Sequence, residues 1–81
     1  METEVSPIYL ERVDPNRNMA RFYCLSVEAD LFGQILAIRR WGRIGRSSRQ
    51  SASPCRSVSE AMVDIQHRAA IKRRRGYIDI N

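Results

Sequence analysis

The sequence predicts an α+β fold, in which a small antiparallel sheet carries one helix on one face. Three observations support this. Short segments rich in aromatic and β-branched residues alternate with turn sequences, one long amphipathic segment follows them, and the chain has 81 residues. A chain of this length folds as one domain with a thin core. We therefore expect a single domain over residues 1–81, with its core in residues 8–77.

The first two strands are predicted as a hairpin. Ile8–Val13 and Met19–Glu28 are rich in strand-forming residues, and the second contains the run RFYCLSV. Between them lies Asp14–Asn18, where proline fixes φ and the Asp and Asn side chains hydrogen-bond to nearby backbone. A short loop over these residues therefore joins the two strands.

Two further strands are predicted after a turn at Ala29–Gly33. Gln34–Trp41 is apolar enough for a third strand, and residues 42–48 contain two glycines, as expected for a loop. Arg49–Ser53 is a weaker candidate for a fourth strand, which we expect Pro54 to end.

The helix is predicted over Ser57–Arg75. Ser57 and Glu60 have the spacing of a capping box, in which each side chain accepts a hydrogen bond from the backbone of the other. One apolar stripe follows at helical spacing: Val58, Ala61, Met62, Ile65 and Ala69. Gly76 is suited to end the helix, and Tyr77–Ile80 is a candidate for a last short strand.

Positive charge is concentrated in the middle and near the end of the chain. The formal net charge is +5, and thirteen of the fourteen basic residues are arginine. Residues 39–56 carry six arginines and no acidic residue, whereas residues 1–38 carry three arginines and six acidic residues. Arginine binds phosphate with two donors, so this pattern indicates a polyanionic partner. The alternatives are a genome that favours arginine codons and, for Arg73–Arg75, a role limited to the helix dipole and solubility.

Residues 39–46, RRWGRIGR, carry the chemistry that points to a function. Trp41 offers a ring for stacking on a base or sugar, and the flanking arginines offer donors for phosphate. Leu36 and Ile38 share one face of the predicted strand, and Arg39 and Trp41 share the other. If the first pair faces the core, the second lies on the open face, although alternation alone does not decide this. The alternative is that Trp41 is a core residue surrounded by a solvated rim of arginines.

Trp41-Gly42-Arg43, followed by Ile44-Gly45, resembles the signature of the WGR domain family. Flanking blocks agree with it: Tyr9-Leu10, Asn18–Tyr23, Ser59-Glu60-Ala61 and Arg73–Tyr77. The resemblance covers residues 8–77. One departure is that Ser48 and Arg49 precede Gln50, where the family often has a glycine.

The WGR family is found in eukaryotic poly(ADP-ribose) polymerases and in bacterial proteins related to a molybdate metabolism regulator. In the polymerases this domain binds DNA break ends and relays that contact to a separate catalytic domain, for which 81 residues leave no room. The resemblance implies that Trp41 stacks at a strand end and that Arg43 contacts phosphate or a partner. It also implies that Gly42 keeps the backbone close to the ligand.

The sequence argues against an enzyme. His67 has no neighbouring nucleophile and is expected on the exposed side of the helix, and no phosphate-binding glycine motif is present. Cys24 is expected to pack within its strand, and Cys55, beside Arg56, lacks a histidine partner. The two cysteines have no metal-ligand spacing, so we expect neither a metal site nor a cofactor. The acidic start and the lack of a long apolar run predict an intracellular, cytoplasmic protein without membrane association.

We therefore expect a monomeric, non-catalytic domain that binds nucleic acid, with DNA favoured and strand ends as one possible target. The residues assigned to binding are Arg39, Trp41, Gly42, Arg43, Arg46 and Arg49. The alternative is a protein-interaction or regulatory adaptor domain that presents the same tryptophan and arginines to an acidic protein. No small-molecule substrate is expected.

Overall fold

The computed structural model describes residues 5–80, which form an antiparallel sheet of five strands with an α-helix packed on one face. The strands are β1 Ile8–Asp14, β2 Met19–Ala29, β3 Ile35–Arg43, β4 Ser48–Cys55 and β5 Ile78–Asp79, the helix is α1 Val58–Arg74, and a 3-10 turn spans Pro15–Arg17. The order across the sheet is β4-β3-β2-β1-β5. The predicted α+β fold is confirmed.

The connection between β1 and β2 has the predicted turn chemistry. The Asp14 carboxylate accepts a hydrogen bond from the Asn16 amide at 3.2 Å, and Pro15 begins the 3-10 turn. Asn18 then takes a left-handed conformation with φ of 50°, which asparagine tolerates better than most residues. The chain reverses here, and β2 pairs antiparallel with all of β1.

The predicted turn between β2 and β3 is also present, over residues 30–34. The Asp30 carboxylate accepts hydrogen bonds from the amides of Phe32 and Gln34, each at 2.9 Å. Gly33 has a φ of +78°, a conformation that costs glycine little because it has no Cβ.

Two predicted strand boundaries are wrong. Gly42 and Arg43 belong to β3 and not to the loop expected from their composition, because both pair with β2. The turn between β3 and β4 is limited to residues 44–47. Pro54 does not end β4, which continues to Cys55. This strand lies at the edge of the sheet, where the missing amide hydrogen of a proline is tolerated.

The start of α1 is capped largely as predicted. The Ser57 hydroxyl accepts a hydrogen bond from the Glu60 amide at 3.1 Å. The Glu60 carboxylate accepts from the Arg56 amide at 3.2 Å instead of from the Ser57 amide, so the predicted capping box is only half formed. The first contact satisfies an amide that the first turn of a helix leaves without a partner, and the second satisfies the amide of the residue before the cap.

The helix buries a narrower stripe than the sequence predicts. Ala61, Ile65 and Ala69 are buried, whereas Val58 is only half-buried and Met62 is 42% exposed. The buried residues follow one another at intervals of four along a single line of the helix, and Met62 lies at its flank. The core between helix and sheet consists of Leu10, Tyr23, Leu25, Val27, Ala37, Ala61, Ile65, Ala69 and Tyr77.

The end of α1 is a Schellman motif closed by Gly76. Its amide donates to the Arg73 carbonyl and the Tyr77 amide donates to the Lys72 carbonyl, both at 3.1 Å. Gly76 takes a φ of +96°, which favours glycine. The reversal buries Tyr77 beside Lys72. The Arg73 guanidinium donates hydrogen bonds of 2.7 and 2.8 Å to the Asp79 carboxylate, and these connect β5 to the end of the helix.

We expect Ser57→Ala to destabilise the domain by about 1 kcal/mol, because an amide of the first helical turn loses its acceptor. For a domain of this size, that corresponds to a melting temperature lower by roughly 4–8 °C in thermal unfolding followed by circular dichroism. The matched control is Ser59→Ala, an exposed serine in the same turn. An equal loss of stability in both variants would contradict the capping role.

Candidate nucleic-acid interface

The pairing of β3 with β2 places Arg39 and Trp41 on the helix side of the sheet. Cross-strand partners point to the same face, and the pairs are Val27↔Ala37, Leu25↔Arg39 and Tyr23↔Trp41. Leu25, Val27 and Ala37 all belong to the core under α1. Of the two orientations that the alternation left open, the one with Arg39 and Trp41 on the open face of the sheet is therefore not the one observed.

The reason is that both faces of β3 carry aliphatic side chains, so alternation does not identify the covered face. Ile38 points away from the helix and is still only 8% exposed. The helix packs instead on the face of Ala37. Arg39 and Trp41 continue that face toward the end of the strand.

A groove runs between the last turns of α1 and the sheet, and we call it the basic groove. Its first compartment has a volume of about 290 Å³ and is lined by Tyr23, Arg39, Trp41, Arg68, Ile71 and Lys72. Its second compartment has a volume of about 440 Å³ and is lined by Arg21, Phe22, Tyr23, Trp41, Gly42, Arg43, Lys72 and Tyr77. Tyr23, Trp41 and Lys72 line both, so the compartments lie next to each other.

Trp41 and Arg39 form one side of the first compartment. The guanidinium carbon of Arg39 lies 5.4 Å from the centre of the Trp41 ring, within the range of a cation–π contact. The Nε atom of Arg39 is buried and has no hydrogen-bond partner among the described residues. A buried donor without an acceptor is costly, so this guanidinium is suited to receive an anionic ligand.

Lys72 lies at the junction of the two compartments. Its ammonium group is 4.7 Å from the ring centre of Tyr23 and 5.2 Å from that of Tyr77. The two rings meet edge to face, with centres 6.4 Å apart. Burial lowers the pKa of Lys72 below its ordinary value, and the nearby charges of Arg75, Arg21 and Arg39 lower it further. Lys72 is therefore a cation held among other cations.

The charge of the groove is unbalanced. Neither compartment is lined by an Asp or Glu of the described chain. Among the lining cations, Arg68 is neutralised by Asp64 at 3.1 Å. Within residues 5–80 the other ion pairs, Arg17–Asp14 and Arg73–Asp79, lie outside the lining of the groove. The site consequently has positive charge to offer to an anion.

Gly42 and Arg43 are held by neighbouring turns. A Cβ atom on Gly42 would lie 3.2 Å from the carbonyl oxygen of Ser47 and 3.3 Å from Cα of Ser48, so a side chain would crowd the β3–β4 turn. The Arg43 guanidinium donates to the carbonyl oxygen of Asn18 at 3.0 Å and to its side-chain oxygen at 3.2 Å. Arg43 thus joins the end of β3 to the β1–β2 turn.

The sequence-predicted residues divide into two groups. Arg39, Trp41, Gly42 and Arg43 all line the basic groove. Arg46 lies exposed in the β3–β4 turn, and Arg49 is exposed on β4 opposite Trp41, but neither lines a compartment. These two arginines flank the groove and do not form it.

Other residues of the groove were not predicted: Arg21, Phe22, Tyr23, Arg68, Ile71, Lys72 and Tyr77. Tyr23 lies on the same face as Trp41 only through the register of β2 and β3. Lys72 and Tyr77 meet because the helix reverses at Gly76. The signal available in the sequence was the glycine after the basic run, which fixes where the helix ends.

The described residues offer no other obvious chemical centre. His67 is exposed, as predicted, and Cys24 and Cys55 are free and half-buried. Within residues 5–80, no three His, Cys, Asp or Glu side chains come together as metal ligands. In the same range, no helix is long and apolar enough to span a membrane.

Comparison with known proteins agrees with the signature in β3. The family model described as WGR domain matches residues 6–81. The chain is similar to uncharacterized protein y4dW of Sinorhizobium fredii, with 41% identity over 70 residues. The match covers 86% of this chain and 34% of y4dW, so the chain spans about a third of the length of that relative. No solved structure matches significantly. The chain belongs to the WGR domain family.

Proposed function

We propose that this WGR domain binds nucleic acid, with DNA favoured, through the basic groove and without catalysis. The observation that carries the proposal is the composition of the groove. The half-buried ring of Trp41 shares it with Arg39, Arg21 and Lys72, and no carboxylate of the described residues lines it. A ring for stacking beside cations for phosphate is a combination that nucleic-acid strands bind.

The lining residues have distinct roles in this proposal. Arg39 and Lys72 contact phosphate, since both carry a charge that the protein leaves uncompensated. Trp41 stacks on a base or sugar.

Arg43 keeps the β1–β2 turn against the end of the groove through Asn18. The flanking residues Arg46 and Arg49 attract the polyanion at longer range. Gly42 lets the β3–β4 turn approach the strand closely.

The test uses the only tryptophan of the chain as a reporter of the groove. A DNA duplex with a single-stranded tail at one end offers both paired and unpaired nucleotides. We expect this DNA to change the fluorescence of Trp41 on titration, and the affinity to fall as salt rises. An affinity unaffected by salt, or no binding at low salt, would refute nucleic-acid binding and leave the acidic protein partner as the hypothesis to pursue.

Two neighbouring arginines of β3 provide a matched pair for the same titration. Arg39 lines the groove, whereas Arg40 is exposed on the opposite face of the same strand. We expect Arg39→Gln to weaken binding by about tenfold, as for the loss of a charged hydrogen bond, and Arg40→Gln to have a much smaller effect. Equal losses would show that only net charge matters.

Binding should also depend on pH through Lys72. In the free protein its pKa lies below the ordinary value of 10.5, and a bound phosphate raises it because the ammonium form is stabilised. Binding is therefore strongest at a pH below the pKa that Lys72 has in the free protein, and it weakens as the pH rises through that pKa. We expect affinity to fall as pH rises toward the ordinary lysine pKa, with the loss beginning below that value. An oligonucleotide of dA and dC avoids titration of the bases.

The control for the pH experiment is Lys72→Arg, because arginine keeps its charge over this range. This variant should bind with an affinity that changes little with pH. If wild type and Lys72→Arg lose affinity in parallel, a group other than Lys72 is responsible.

Arg43 and Asn18 can be tested as a pair. If Arg43 acts by holding the β1–β2 turn, Arg43→Lys and Asn18→Ala should each weaken binding by about two- to fivefold, and the double variant by no more than either single change. The measurement is the dissociation constant for the tailed duplex in all four proteins. If Asn18→Ala leaves affinity unchanged while Arg43→Lys lowers it, Arg43 acts through the ligand or the Asn18 carbonyl and not through the Asn18 side chain.

A further inference from the structure

We propose that the outer edge of β4 binds an extended acidic peptide, which adds a further strand to the sheet. In this mode of recognition, the backbone of a peptide hydrogen-bonds to the unpaired backbone groups of an edge strand. Among residues 5–80, none of those in β4 lines a compartment of the basic groove, so this site is separate from the one proposed for nucleic acid. The support comes from the regularity of the edge, the direction of its free backbone groups and the charge along it.

The sheet has two edges, and only the β4 edge is long. β5 has two residues, whereas β4 has eight and pairs with β3 from Cys55 to Ser48 without a bulge. Proteins commonly protect such an edge with lysine, with a bulge or with a covering segment. β4 contains no lysine, and in the described part of the chain no second strand pairs with it and no loop backbone hydrogen-bonds to it. Its outer side is therefore open to another strand.

Pro54 shows which backbone groups of β4 face outward. In an antiparallel pair, residues that exchange two hydrogen bonds alternate with residues whose N–H and C=O groups point away from the partner strand. Pro54 has no N–H and lies opposite Leu36, so this pair is of the second kind. At intervals of two along the strand, Ala52, Gln50 and Ser48 therefore also direct their N–H and C=O groups outward. These groups face the position of a strand about 4.8 Å beyond β4.

The charge along this edge selects the partner. Three exposed arginines accompany β4: Arg46 precedes the strand, Arg49 lies within it and Arg56 follows it. None of the three takes part in an ion pair within residues 5–80. Pairing of β4 with a second copy of itself would bring these like charges together, which is unfavourable. A peptide with carboxylates is attracted instead.

The two faces of the edge differ, and this difference predicts the side-chain pattern of the peptide. Arg49 lies opposite Trp41 on the helix side of the sheet, whereas Ala52 lies opposite Ile38 on the other side, which it shares with Pro54. Successive side chains of a strand alternate between the faces. A peptide in which acidic and β-branched residues alternate therefore places its carboxylates on the side of Arg49 and its β-branched side chains on the side of Ala52 and Pro54.

The test uses a labelled peptide of about eight residues, the length of β4, in which glutamate alternates with threonine. Binding is measured by fluorescence anisotropy. We expect the wild-type protein to bind this peptide with an affinity that falls as salt rises. The same peptide with glutamine in place of glutamate should bind about fivefold more weakly, because exposed ion pairs contribute modestly.

Hydrogen exchange followed by NMR reports the backbone contacts directly. In the free protein, the amides of Ser48, Gln50 and Ala52 should exchange faster than those of Ser51 and Ser53, which face β3. The bound peptide should slow the first three. Fast exchange of those three amides in the saturated complex would contradict pairing at this edge.

Ala52→Pro is the decisive variant. It removes an outward N–H at a position equivalent to that of Pro54, so the fold tolerates it while the peptide loses a donor and meets the proline ring. We expect peptide binding to weaken by at least about tenfold, as for a carbonyl left without its donor. The matched control is Ala52→Ser, which keeps the amide and should bind as the wild type does. Gln50→Pro repeats the test at the next outward position, and circular dichroism establishes that the variants are folded.

Three results would overturn the proposal. One is the absence of peptide binding to the wild type at low salt. Another is equal binding by the wild type and folded Ala52→Pro, and if Arg39→Gln then weakens binding, the peptide lies in the basic groove. The third is a dimer in sedimentation equilibrium that Ala52→Pro dissociates, which would show that a second copy covers the edge. DNA binding is measured separately, so none of these results decides the proposed function.

Discussion

The reversal of the chain at Gly76 is the constraint on which the basic groove depends. The helix runs along the sheet over Ala61, Ile65 and Ala69 and then stops, because Gly76 adopts a positive φ and the last carbonyls are satisfied by the turn itself. The last turn of the helix places Lys72 over Tyr23, and Lys72 and Trp41 line both compartments of the groove. The same turn directs Tyr77 back beside Lys72.

The three residues of the WGR signature contribute to the groove in different ways. Trp41 supplies its aromatic surface. Gly42 permits the backbone of the β3–β4 turn to pass within 3.3 Å of where a side chain would begin. Arg43 ties β3 to Asn18 and so holds the β1–β2 turn at the end of the groove. A substitution at Gly42 would therefore alter the shape of the site without removing a ring or a cation from it, whereas one at Arg43 would also remove a cation that lines the second compartment.

Most of the fold could be predicted from local sequence, because each local feature has a local cause. The capping serine at Ser57, the stop at Gly76 and the turn residues of Asp14–Asn18 act within a few residues of their own position. The ends of β3 and β4 were mispredicted because glycine and proline favour turns, whereas pairing with β2 and an edge position override that tendency. Local composition does not contain this information.

The site was only partly predictable for a related reason. The arginines and tryptophan of residues 39–43 are adjacent in sequence and were found by composition, but their face was not determined by it. Aliphatic residues occupy both faces of β3, so the choice depends on where α1 packs, which is a contact between distant segments. Tyr23 and Lys72 enter the groove through the same contact. They could be placed only once the register of β2 and the end of the helix were known.

The cations of the groove are held in place by aromatic rings and not by carboxylates, and this difference explains how a strongly basic site can remain ready for a ligand. Arg39 lies over Trp41, and Lys72 lies over Tyr23 and Tyr77. A carboxylate would neutralise these charges and compete with phosphate, whereas a ring orients a cation and leaves its charge available. The arrangement has a cost, because burial lowers the pKa of Lys72 and the like charges that remain close to it lower this pKa further. An anion in the groove relieves that repulsion, so binding and folding stabilise each other in this domain.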